Sequence, residues 1–258
     1  VVPRTAGYDE RMAIRVAVVG ANGRMGALVS RLVDETDGFE LAASIGSRDS
    51  LDAMIGADIV VDVTVPAVSQ SIVEFAIEHG ITVVVGTSGW SRDRIAALGT
   101  LLGAEPASGV VIIPNFSIGS VLATSFSALA SRFFDSIEII EAHHAGKVDS
   151  PSGTAVRTAE LIGEARSEIG PVDAPHTDQR ARGQQVSSIP IHSLRLAGVV
   201  AKQDVILGGV GETLTISHET LSPDSYEAGI LVALRAASDT RGVVVGLDKL
   251  IDLRGPHA

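Results

Sequence analysis

From residue 14 to residue 113 the chain alternates short β-branched runs with stretches of helical spacing, and this alternation restricts the fold more than any other feature. Ile14 to Val19 reads as a strand and Arg24 to Thr36 as a helix, with Met25, Leu28, Val29, Leu32 and Val33 forming one apolar stripe. Further strands are expected at Leu41 to Ile45, Ile59 to Val63, Thr82 to Val85 and Val110 to Ile113. Helices are expected around Val68 to Ala76 and from Arg92 to Leu102. Strands that are apolar on both faces and linked by helices must be covered on both sides, which predicts a doubly wound parallel sheet.

The pattern then changes. A helix is expected over Ser120 to Phe133, a strand over Ile137 to His143 and a helix over Gly153 to Ile169, followed by a polar loop from Gly170 to Ser188. Ile189 to Leu196, Val199 to Leu207 and Thr213 to His218 succeed one another as strands without helices between them, which predicts a mixed or antiparallel sheet. A helix around Ser225 to Ala237 and a strand at Val243 to Val245 should return the chain to the first domain. The expected class is therefore α/β, a Rossmann domain with a second α+β domain on a mixed sheet. Residues 13–116 and 225–258 form the dinucleotide-binding domain, residues 117–224 the substrate-binding and oligomerisation domain, and residues 1–12 a disordered extension with Met12 as an alternative start.

The glycine-rich stretch Gly20-Ala21-Asn22-Gly23-Arg24-Met25-Gly26 lies after the first strand and opens the first helix. There, backbone N–H groups and a helix N-terminus can hold a pyrophosphate, although a tight turn alone would also use glycine. At the end of the second strand an acidic residue would bind a ribose 2′-hydroxyl; the chain instead has Gly46-Ser47-Arg48, a hydroxyl and a guanidinium suited to a 2′-phosphate. The alternative leaves Arg48 in solvent, with Asp49 or Asp52 on the ribose. NADPH is expected to be preferred, with NADH also accepted. Gly86, Thr87 and Ser88 follow one strand, and Ile113, Pro114, Asn115 and Phe116 close the next, so both loops should border the nicotinamide.

The segment from Glu141 to Ala155 places His143, His144 and Lys147 at a strand end, before a Pro/Gly turn that opens a helix. Backbone N–H groups of Gly153 and Thr154 together with Lys147 would hold a carboxylate, and a histidine there can donate a proton. Plain surface or core histidines are the competing reading. A metal is not expected, because adjacent strand residues point to opposite faces and no third ligand is evident.

Composition narrows the classes further. The formal net charge of −11 argues against a nucleic-acid partner, and the absence of cysteine excludes disulfides and a thiol nucleophile. No apolar run reaches the roughly 20 residues of a spanning helix, and residues 1 to 12 lack the apolar core of a secretory signal, so a cytoplasmic protein with no membrane partner is expected.

The histidine segment resembles the H-H-x-x-K-x-D-x-P-S-G-T signature of the dihydrodipicolinate reductases. The Gly20 to Gly26 turn, Gly86-Thr87-Ser88-Gly89 and Pro114-Asn115-Phe116-Ser117 are similar to that family's other motifs, in order. Two departures are visible: Ser88 stands where the family more often has Thr, and Gly46 where many members carry an acid. The resemblance implies reduction of 4-hydroxy-tetrahydrodipicolinate, a small dicarboxylate, with NAD(P)H in lysine (diaminopimelate) biosynthesis, by a homotetramer joined through the second domain. It implies His143 as general acid, Lys147 as a second donor, and His144, Gly153 and Thr154 as carboxylate holders. Another two-domain dehydrogenase and a non-catalytic NADP-binding sensor are the rival readings; neither accounts for the His143 and Lys147 cluster.

Overall fold

The computed structural model describes residues 13–251, so the extension expected at residues 1–12 lies outside the described residues. The chain divides into two compact units, one running through Ile113 and including Ile230–Gly246, the other comprising Pro114–Gly229 and the segment from Leu247. These divisions fall before the boundary expected at 116/117 and after the one expected at 224/225.

The first unit is a six-stranded sheet in the order β2 (Phe39–Ile45), β1 (Ile14–Val19), β3 (Ile59–Asp62), β4 (Thr82–Val85), β5 (Gly109–Ile112), β11 (Gly242–Val245). Every pairing is parallel. Helices α1 (Arg24–Glu35), α2 (Pro66–Glu78) and α3 (Arg92–Leu102) alternate with the strands. Strands β3, β4 and β5 are buried at every residue, as their Val-rich composition requires. Burial of each Val or Ile contributes about 1.5–3 kcal/mol. Leu28, Val29, Leu32 and Val33 of α1 are buried, while Met25, at the helix start, is only half-buried.

The second unit holds a five-stranded sheet in the order β10 (Glu212–Thr220), β9 (Ala201–Gly209), β6 (Ser136–His144), β8 (Ile189–Leu196), β7 (Gln184–Val186). Only β6 and β8 run parallel, so the sheet is mixed. Ile137, Ile139, Ile189, Ile191, Val205 and Leu207 pack with Ala155, Ala159 and Ile162 of α5 (Gly153–Ala165) into a separate core. Helix α4 (Ile118–Ala130) packs beside α5, and α6 (Glu227–Ala237) leads into β11. Leu194, Leu196 and Leu214 remain exposed.

Two expectations are corrected here. The loop from Gly170 to Ser188 contains strand β7, which pairs with β8 through a tight turn at Ser187 and Ser188, with φ of 49° and 67°. Its Gln-Gln-Val sequence has no apolar alternation, and a Ser-Ser turn lacks the Asn-Gly or Gly signal that normally marks a left-handed hairpin turn. Helix α5 ends at Ala165 and not at Ile169. There Arg166 turns back, its guanidinium donating to the carbonyls of Gly170, Ser131 and Phe134. No helix among the described residues is long and apolar enough to cross a membrane.

Candidate active site

In the first unit the strand register aligns all six carboxyl ends. Val19 lies beside Ile45 and Asp62, Asp62 beside Val85, Val85 beside Ile112, and Ile112 beside Val245. Gly46, Gly20, Val63, Gly86 and Ile113 are therefore consecutive steps along one edge, the place where an open parallel sheet binds ligands. The chain crosses from β2 to β3 on opposite sides of β1, so the switch point lies at Gly20.

Backbone proximity at that point excludes side chains. Gly20 has φ of +91°, and a Cβ on it would lie 2.6 Å from the Val63 carbonyl oxygen; a Cβ on Gly26 would lie 2.1 Å from the Gly20 oxygen. Gly23 caps α1 without a side-chain acceptor, so the first-turn N–H groups of Arg24 and Met25 stay open to an anion. Ala21 donates its N–H to the Ile45 carbonyl, which fixes the turn against β2. These residues fit a dinucleotide: a turn that side chains cannot enter, opening onto a bare helix N-terminus.

At the end of β2 a Cβ on Gly46 would lie 2.5 Å from the Asn22 side-chain nitrogen, so the amide of Asn22 occupies the space an acid at position 46 would need. Asp49 folds back, its carboxylate accepting the Gly46 N–H at 2.8 Å. Ser47 and Arg48 are exposed, and the Arg48 guanidinium has no partner among the described residues. Sequence reasoning did not single out Asp62. It is fully buried at the end of β3 and accepts hydrogen bonds from Thr64, Ser69 and Thr87, tying two edge loops together. The Thr87 hydroxyl is committed to that anchor, whereas Ser88 is exposed.

In the second unit His143, His144, Lys147, Gly153 and Thr154 lie on the end of β6, the turn that follows it, and the start of α5. The Lys147 N–H donates to the His144 carbonyl at 3.0 Å, closing the turn. Ser152 caps α5 by accepting the Ala155 N–H at 3.2 Å, which leaves the N–H groups of Gly153 and Thr154 as the open first-turn donors. His144 is exposed, with its Nδ1 3.4 Å from where a Cβ on Gly146 would stand. Lys147 Nζ is 2.7 Å from Asp149, and that hydrogen bond holds the Asp149 carboxyl below its ordinary value. The lysine is therefore already paired, and a substrate carboxylate would have to share it with Asp149.

Glu141 and Arg195, absent from the sequence expectations as site residues, complete the cluster. Glu141 is fully buried; its carboxylate accepts from His143 Nδ1 at 2.6 Å, from the Ser152 N–H at 3.2 Å and from both terminal nitrogens of Arg195 at 2.9 and 3.0 Å. Burial works to raise its pKa, and the hydrogen bonds from Arg195, Ser193 and His143 overcome that, so it is held below the ordinary carboxylate value. For His143, burial pushes the pKa down and Glu141 pulls it up, while Lys147 and Arg195 add to the lowering, which prevails. Two signals for Glu141 were present: an acid two places before His143 shares its strand face, and an inward acid needs a partner. Arg195 could not be found this way, because the pairing of β6 with β8 joins residues remote in sequence.

Pro114 is exposed, Phe116 is buried, and Asn115 points its amide at Ser120 (2.9 Å) and at the Thr154 hydroxyl (3.4 Å). The Asn115 side chain thus ties the start of α4, through Ser120 and the Ser117 N–H, to Thr154 at the start of α5. Among the described residues no cluster of three or more His, Asp or Glu could hold a metal.

The models of the dihydrodipicolinate reductase N-terminus and C-terminus match residues 14–116 and 119–251. The chain belongs to the dihydrodipicolinate reductase family. A 4-hydroxy-tetrahydrodipicolinate reductase of Clavibacter michiganensis is 67% identical over 244 residues, covering 95% of this chain and 88% of that one. Its counterpart from Streptomyces griseus is 46% identical, covering 93% and 98%. Among solved structures, a dipicolinate-bound dihydrodipicolinate reductase from Paenisporosarcina is similar, with a TM-score of 0.78, 29% identity and coverage of 93% and 100%. The first unit is thus the nucleotide-binding Rossmann domain of this reductase family, and the second its mixed-sheet C-terminal portion.

Proposed function

We propose that the protein reduces 4-hydroxy-tetrahydrodipicolinate to tetrahydrodipicolinate with NAD(P)H, as a cytoplasmic homotetramer in lysine (diaminopimelate) biosynthesis. The observation that carries this reading is the His143, Lys147, Gly153 and Thr154 constellation, gathered on one strand end, turn and helix start in a member of this family. A relative that shares the fold holds dipicolinate, a six-membered nitrogen ring carrying two carboxylates, as the substrate does.

Gly20, Ala21, Asn22, Gly23, Arg24 and Met25 would hold the pyrophosphate, and Gly86 to Ser88 with Ile113 to Phe116 would line the nicotinamide half. The bound cofactor supplies the hydride that enters the ring after water has left it. On the other unit, the N–H groups of Gly153 and Thr154, with His144 and Lys147, orient the two substrate carboxylates. His143 donates a proton from Nε2 to the ring carbon next to the one that takes the hydride, and Lys147 restores it or delivers it in turn. In the free protein burial holds the His143 pKa below its ordinary value; a dianion on Gly153 and Thr154 favours the imidazolium, the form that donates.

NADPH preference is supported by Arg48, which has no partner among the described residues, beside Ser47, and by the Asn22 amide where an acid would stand. Asp49 is the group that would favour NADH, and it is turned onto the Gly46 N–H. Assembly through the second unit is supported by its exposed Leu194, Leu196 and Leu214. The test is cofactor oxidation followed by absorbance: the purified protein should consume NADPH only when freshly generated substrate is added. Consumption that ignores the substrate, or none at all, overturns the reading.

A further inference from the structure

The mechanism uses His143 but leaves unexplained the ion pair behind it, a fully buried Glu141 with a half-buried Arg195. Burying a carboxylate and a guanidinium is costly, and an apolar pair of the same volume would serve stability as well or better. The arrangement is justified by what the two groups hold in place.

Glu141 divides its oxygens between two functional elements. Oε2 takes His143 Nδ1 at 2.6 Å, and Oε1 takes the N–H of Ser152, the cap of α5, at 3.2 Å. Arg195 grips both oxygens and donates to the Asp149 carbonyl at 2.6 Å, and the same Asp149 pairs with Lys147. One carboxylate and one guanidinium thus hold the histidine, the anion-binding helix start and the lysine turn together. Kept ionised by Arg195, Glu141 can only accept, so Nδ1 must carry a hydrogen and the transferable proton must sit on Nε2. The charged and titratable groups around His143 are Glu141 on its own strand, Lys147 on the turn and Arg195 on β8; β9 presents Ala201 opposite it.

We propose that Glu141 and Arg195 are a positioning pair that fixes the tautomer and proton affinity of His143 and registers it with the Gly153 and Thr154 anion site. The proposal rests on the reading of His143 as the acid.

Nitrogen NMR of the labelled histidines in the unliganded full-length protein tests it first without any substitution. The neutral His143 ring should be protonated at Nδ1, and a ring protonated at Nε2 overturns the proposal. Titrations of two variants follow, each checked for folding by its melting curve. Glu141→Gln should lower the His143 pKa by about 1 unit or more, since an ionised partner in contact is lost. The basic limb of its kcat/KM profile should move the same way, with kcat falling more than KM rises. Arg195→Gln should shift the His143 pKa upward, because a cation is removed while the hydrogen bonds from Ser193, the Ser152 N–H and His143 itself still hold Glu141 as the carboxylate. Glu141→Asp should recover part of the parent profile. Folded variants whose His143 titrates as in the parent overturn the proposal. The reductase reading fails separately, by absence of substrate-dependent cofactor oxidation in the parent protein.

Discussion

Replacing Gly26 with alanine tests the cofactor edge at its tightest point. The new Cβ would stand 2.1 Å from the Gly20 oxygen and 2.6 Å from the Ala21 Cα, both backbone atoms that no rotamer change can move. Unbonded carbon contacts settle near 3.5–4.0 Å, so the turn or the helix must retreat by about 1 Å or more. Forced repacking of this kind costs about 1–3 kcal/mol. If the retreat widens the Gly20 to Gly26 turn, the whole penalty reappears in cofactor binding, about 5- to 150-fold in Kd. Gly99→Ala is the control: it lies inside α3 with nothing within 4 Å, and should be neutral or gain about 0.5–1 kcal/mol. Calorimetric titration with NADPH and melting curves of the three proteins supply the readout. A Gly26→Ala protein with the parent's Kd and melting temperature would refute the close-approach argument.

Four further outcomes are expected. His143→Gln should lower kcat by about 10²–10⁴-fold with cofactor affinity unchanged, checked by steady-state kinetics. Because the acid must be protonated, kcat/KM of the parent should fall as pH rises through the free-protein pKa of His143. That limb should lie below the ordinary value of 6.5, and the corresponding limb of kcat should lie higher, since bound carboxylates stabilise the imidazolium. Lys147→Ala should reduce kcat/KM severely, and unchanged kinetics would leave Lys147 as a partner of Asp149 alone. Arg48→Ala should weaken NADPH by about tenfold and leave NADH unaltered, because an exposed arginine–phosphate contact is screened to the low end of about 1.5–3 kcal/mol; loss of both cofactors together would assign Arg48 a structural role.

The sequence was most legible where periodicity and burial coincide. The valines of β3, β4 and β5 have no polar face, so a doubly covered parallel sheet follows from composition alone. The glycine turn and the His143 to Thr154 segment were readable because their groups are adjacent in the chain. What escaped notice depends on partners distant in sequence. Arg195 reaches Glu141 only through the β6–β8 register, and Asn22 meets Gly46 only because β1 and β2 end at the same level. Strand β7 was missed because Gln184 and Gln185 owe their conformation to pairing with β8 and not to their own propensity. The pairing of Lys147 with Asp149 was within reach, two residues apart, but an acid in a turn is ordinarily solvated.

The most direct test of the central claim follows the hydride itself. The protein is supplied with freshly generated 4-hydroxy-tetrahydrodipicolinate and NADPH carrying deuterium at the transferred position of the nicotinamide ring, and the product is examined by mass spectrometry. The account predicts tetrahydrodipicolinate bearing one deuterium at a ring carbon, with formation suppressed in His143→Gln. Product without the label, or cofactor oxidised with no labelled dicarboxylate formed, would contradict it.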